Sequence, residues 1–104
     1  MIITTTDFIP GREIVQVLDI ARGSTVRARN FGRDIMAGLK NLVGGEISEY
    51  TQLMSDAREQ AIDRMITDAE DLGADAIINV RFMTAMVMQG ASEILAYGTA
   101  VKLK

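Results

Sequence analysis

The stretch EISEYTQLMSDAREQAIDRMITDAEDL, Glu46 to Leu72, constrains the fold more than any other part of the chain. Apolar residues recur at Tyr50, Leu53, Met54, Ala57, Ala61, Met65, Ala69 and Leu72, three or four apart, with Ile62 and Ile66 widening the stripe. A helix of about 3.6 residues per turn puts all of them on one face and the intervening charged residues on the other. Ser48 is placed to accept from an unpaired amide of the first turn, and Gly73 sits where a left-handed residue ends a helix. One long amphipathic helix is therefore expected, and it covers only one side of whatever it packs against.

The segments around it read mostly as strands. Ile2 to Thr6 is a short β-branched run closed off by Pro10 and Gly11, expected as an edge or accessory strand. Glu13 to Arg22 alternates with both faces largely apolar, and Gly23-Ser24 suggests a bulge or bend before Thr25 to Ala28 continue in extended form. Asn30 to Val43 carries Phe31, Ile35, Met36, Leu39, Leu42 and Val43 at helical spacing, which predicts a short helix capped by Asn30 and stopped by Gly44-Gly45. After Gly73 the period changes to two: Ala76, Ile78, Val80, Phe82, Met86 and Met88 share one parity, the face expected under the long helix. Gln89 to Ser92 turns around Gly90, and Glu93 to Leu103 returns as the last strand of a hairpin. The fold class is α+β, a small antiparallel or mixed sheet with one long and one short helix.

At 104 residues and 48% hydrophobic, the chain suits one core, and a single domain over 1–104 is expected. A strand of about thirteen residues spans on the order of 43 Å, whereas a compact domain of about 100 residues has a radius of gyration near 13 Å. The far half of the hairpin, apolar on both sides, must then project or bend, and a partner copy is expected to cover it. There is no apolar run long enough for a membrane span and no signal-peptide pattern, so a cytoplasmic location with no membrane partner is expected.

Charge excludes other partners. Residues 1 to 45 carry six bases against four acids, or +2, while residues 46 to 75 carry nine acids against two bases, or -7. The acidic helix repels a phosphate backbone and no basic aromatic stripe offsets it, so nucleic acid is not an expected partner.

The run Thr4 to Thr6, Gly11-Arg12-Glu13-Ile14, Arg29-Asn30 with Asp34, Ala37-Gly38-Leu39, Gly44-Gly45, Tyr50, Gly73-Ala74-Asp75-Ala76 and Gly98-Thr99-Ala100-Val101 resembles the YbjQ-like family of small bacterial proteins, in order and spacing over nearly the whole chain. The resemblance implies a dodecin-subunit-like β-α-β-β core with added short strands, assembled as a ring of five identical subunits. It also implies a heavy-metal-binding label and no established activity.

Read residue by residue, the chain offers few chemical groups. It has no cysteine and no histidine, hence no thiolate or imidazole for a soft metal and no histidine base. Met83, Met86 and Met88 could present thioethers to copper(I), although methionine commonly fills irregular cores and interfaces. Asp56, Glu59 and Asp63 share a helix face and could meet a hard cation, although carboxylates at that spacing are ordinary on a surface. No metal site and no cofactor is assigned. Arg29, Asn30, Arg33 and Asp34 gather two guanidinium groups, an amide and a carboxylate around the start of the short helix, where a small anion can be held. The same four can instead form an ion-pair network between subunits. No catalytic residue is assigned: a serine or threonine nucleophile needs Lys40, Lys102 or Lys104 nearby, and two of these lie at the end of the chain. The leading expectation is a self-assembling structural module, or one holding a small ligand or ion between subunits. The alternative is an enzyme of unassigned reaction using Arg29 and Asp34 at a subunit interface.

Overall fold

The computed structural model describes residues 1–27, 48–88 and 91–104, with backbone only for 48–51. The short helix expected at Asn30 to Val43 and the turn residues Gln89 and Gly90 lie outside the described residues. In chain order the elements are β1 (Ile2–Ile3), β2 (Ile14–Arg27), α1 (Ser48–Asp71), β3 (Ala76–Met88) and β4 (Ala91–Leu103). The four strands form one sheet in the order β1-β3-β4-β2. β3 and β4 form the expected antiparallel hairpin, β2 lies antiparallel to β4 on its far side, and β1 runs parallel to β3. The sheet is therefore mixed, and β2-α1-β3-β4 is the β-α-β-β core that the family resemblance implies.

The long helix takes its expected phase. Ala57, Ala61, Met65 and Ala69, one turn apart, are fully buried, and Met54 and Ile66 pack beside them. Its end is a Schellman turn: Gly73 at φ 78° donates to the carbonyl of Glu70 at 2.9 Å, and Ala74 donates to that of Ala69 at 3.0 Å. Leu72, expected on the stripe, is exposed because it belongs to this terminating turn.

Gly23 does not bend the chain. β2 runs through it in continuous register from Asp19 to Arg27, and its register shifts fall earlier, between Ile14 and Gln16 and between Val17 and Asp19. A Cβ at Gly23 would lie 2.2 Å from the backbone nitrogen of Met65 and 2.4 Å from the carbonyl oxygen of Ala61. Helix and strand backbones touch at this point, and the alanines at 57 and 61 let the helix come down onto the sheet.

The parity expected for β3 breaks at Asn79. Its φ of 53° is left-handed, a conformation asparagine tolerates better than most residues, and it shifts the register between Ile78 and Arg81. Ile77 and Val80 therefore pack under the helix, while Ala76 and Ile78 turn to the opposite face with Val101 and Leu103. There Ile9 and Ile14 cover them. The expectation that Ile78 shares the helix face with Val80 is thus corrected. Gly98 makes room for the irregularity, since a Cβ there would stand 2.7 Å from Ile77 Cγ2 and 2.8 Å from the Ile78 carbonyl.

The radius of gyration is 17.0 Å, well above the compact value of about 13 Å. The strands account for it, but the hairpin does not project alone. β2 accompanies β4 along its length, pairing Arg27 with Ser92 at the far end, so Ile94 and Ala96 are buried while Phe82, Met83, Met86, Val87 and Met88 of β3 are exposed.

Candidate functional site

A sheet has two edges, and here they are treated differently. α1 lies over β2 and β4 and runs antiparallel to β2, so Asp68, Arg64 and Gln60 come in turn beside Arg22, Ser24 and Arg27. The Asp68 carboxylate accepts from the Arg22 amide at 3.0 Å, and Arg64 Nη1 donates to the Ser24 carbonyl at 2.6 Å. Arg27 Nη2 lies 3.4 Å from Gln60 Oε1. Four helix residues rise about 6 Å and two strand residues about 6.6 Å, so Asp68 and Arg64 keep step with the outward-pointing backbone groups of Arg22 and Ser24, while Gln60 meets the Arg27 side chain three strand residues on. This polar row occupies backbone groups that a strand edge otherwise presents to another chain.

Among the described residues, the β3 edge has cover only at its start. β1 pairs with Ala76 and Ile77, Thr4 and Thr6 extend the contact to Val80, and Arg81 Nη1 donates to the Thr5 carbonyl at 2.9 Å. From Phe82 to Met88 nothing among the described residues pairs with the outer side of β3. Its side chains are exposed on both faces: Phe82 and Met86 beyond the reach of the helix, Met83 on the opposite face, then Val87 and Met88 at the tip, Met86 to 75%. The open face adds Ile20 and Val26 of β2 and Tyr97 of β4.

The metal readings fare as follows. Met83 and Met86 are three apart on a strand and point to opposite faces, so Met83, Met86 and Met88 do not converge on one ion. Asp56, Glu59 and Asp63 are exposed on the helix, Asp56 accepts from Gln52 Nε2 at 2.9 Å, and no group of three acidic side chains among the described residues is set to hold a cation. With neither cysteine nor histidine in the chain, the donors present do not fit a soft heavy-metal centre. Arg29, Asn30, Arg33 and Asp34 lie outside the described residues. Reading by motif passed over the polar row Gln60, Arg64 and Asp68, although its spacing of four was visible; nothing in the sequence told which edge it would serve. No helix among the described residues is long and apolar enough to cross a membrane.

Comparison with known proteins gives a consistent result. The model of a family described as "Putative heavy-metal-binding", YbjQ-like, matches residues 1–104. A UPF0145 protein of Methanosarcina acetivorans is 62% identical over 103 residues, covering 99% of this chain and 97% of the relative. One of Archaeoglobus fulgidus is 58% identical over 104 residues, 100% and 96% of the two chains, and one of Shewanella frigidimarina 54% over 103 residues, 99% and 96%. The family thus extends to archaea and is not confined to bacteria. In three dimensions the chain is similar to a protein of unknown function of the DUF74 family from Pediococcus pentosaceus, with a TM-score of 0.65 at 18% identity, over 100% of this chain and 98% of the other. None of these descriptions indicates an enzyme activity.

Proposed function

The chain belongs to the YbjQ-like, UPF0145 family, and from that premise we propose that it is a self-assembling module whose copies join through the uncovered half of β3. The observation that carries the reading is the contrast between the two sheet edges. Among the described residues, one is met by its own helix at Arg22 and Ser24, while the other has no cover from Phe82 on and is flanked by Phe82, Met83, Met86, Val87 and Met88.

The occupant is a second copy of the chain. An apolar strand exposed on both faces is an aggregation hazard unless a fixed partner covers it, and each large side chain fully withdrawn from water contributes about 1.5 to 3 kcal/mol. Because Asp68 and Arg64 occupy the β2 edge, the β3 edge of one copy cannot extend the sheet onto that part of β2 in the next. It meets a different surface, and such a heterologous contact closes into a ring when the rotation allows. Five subunits is the number the family resemblance implies, and sites for a small ligand or ion would lie between them.

Native mass spectrometry of the purified protein, with light scattering at micromolar concentration, tests this. A single species of five chains is expected. A dimer would point to β3 pairing with β3 about a twofold axis and overturn the ring, and a stable monomer would overturn the reading altogether.

A further inference from the structure

Where β2 passes beneath the middle of α1, two polar atoms are buried with no hydrogen-bond partner among the described residues: the hydroxyl of Thr25 and Nε of Arg27. Thr25 is only 2% exposed. The two residues are separated by one position on a strand, so their side chains emerge on the same face, the one turned to the helix. Arg27 spends one Nη group on Gln60 at 3.4 Å, long for a hydrogen bond, and forms no ion pair with a carboxylate of the described residues. Its cross-strand neighbour is Ser92, and that of Thr25 is Ile94.

This arrangement is costly as it stands. Among the described residues the buried Thr25 hydroxyl has no partner and the half-buried Arg27 guanidinium is short of acceptors, so neither regains there the hydration it loses. Arginine cannot shed its charge, so the deficit is of negative, oxygen-bearing groups. The guanidinium edge that holds Nε matches two oxygens of a tetrahedral or carboxylate anion, and the neighbouring hydroxyl can donate to a third or to one of the same two.

We propose that Arg27 and Thr25, with Gln60 beside them, form a binding site for a small oxyanion of the phosphate or carboxylate class. Arg27 supplies the charge and Thr25 the orienting hydrogen bond. All three residues belong to one chain, so the site stands independently of assembly through β3.

Inorganic phosphate and acetate are the probes, titrated calorimetrically and by thermal unfolding against chloride at matched ionic strength, with wild type, Arg27→Gln and Thr25→Val. In wild type one of the two anions should bind one per chain and raise the melting temperature. Whichever anion does so separates the phosphate source from the carboxylate source. Arg27→Gln should abolish the response, and Thr25→Val should weaken binding by about tenfold, the size of one hydrogen bond to a charged group. Thr25→Val should also leave the anion-free protein as stable as wild type or more so, since it removes only an unpaired hydroxyl. A loss of stability in anion-free Thr25→Val would show that the hydroxyl has a partner within the protein and would overturn the assignment. So would a wild type indifferent to both anions, or a response unchanged in both variants. If Arg27→Gln fails to fold, Thr25→Val carries the test alone.

Discussion

The β2 and β3 edges of the sheet are of similar length, yet among the described residues one is partly covered by the helix and the far half of the other has no cover. Beside β2, a helix laid antiparallel brings Arg64 and Asp68 to the strand, where they take up the Ser24 carbonyl and the Arg22 amide, and Gln60 meets the Arg27 side chain. Beside β3, the cover from β1 and the three threonines ends at Arg81. The difference teaches that edge protection here is a matter of reach. α1 spans β2 and β4 and stops short of the far half of β3, so Phe82 and Met86 stay exposed although they point to the same side of the sheet as Val80.

The largest expected effect comes from lifting the helix off β2. Gly23→Val places side-chain atoms where the helix backbone lies, at distances from 2.2 Å, and neither rigid element can yield. Urea unfolding should show a loss of more than about 3 kcal/mol, at the upper end of what overpacking costs. A smaller loss would mean that the helix rides further from the sheet. Met65→Ala comes next, at roughly 2 to 5 kcal/mol, because Met65 is a large helix side chain fully buried in the core and its removal leaves a cavity. That variant should keep the β2 edge covered, so its assembly should be unchanged by light scattering.

Asp68→Ala acts on the edge itself. Losing the acceptor of the Arg22 amide should cost about 0.5 to 1.5 kcal/mol, and the exposed edge should give new, larger species on sizing; a uniform wild-type profile would show that the polar row is not protective. The smallest effect on folding is expected at the other edge. Val87 and Met88 are exposed, so Val87→Asp and Met88→Asp should change the stability of the isolated chain by no more than about 0.5 kcal/mol. In the assembly, however, each places an unpaired carboxylate in a contact, which is costly, and the ring should dissociate. A ring that survives both would move the contact away from β3.

Much of this was legible beforehand. The helix phase, its end at Gly73, the β3-β4 hairpin and the accessory role of the first strand all follow from periodicity and from glycine and proline placement, since each depends on residues close in the chain. The errors share one origin. Gly23 looked like a bend because a glycine in a strand lacks a side chain to pack, and the sequence does not say that another backbone needs that space. Strict alternation puts Ile78 on the face of Val80 and hides the left-handed residue at Asn79.

The site was less legible. Arg27 and Thr25 look like ordinary strand residues, and what sets them apart is burial beneath α1 of polar atoms that have no partner among the described residues. The four residues Arg29, Asn30, Arg33 and Asp34 that motif reading favoured lie outside the described residues.

What the sequence determined by itself, over the described residues, is the strands and the long amphipathic helix that unites them, because helix and strand periods are local properties of the backbone. Which edge the helix covers was decided only by the tertiary structure. That choice depends on a glycine at the crossing point and on helix and strand repeats that happen to keep step across about forty residues of chain separation, as between Arg64 and Ser24, and no local pattern encodes such a distance.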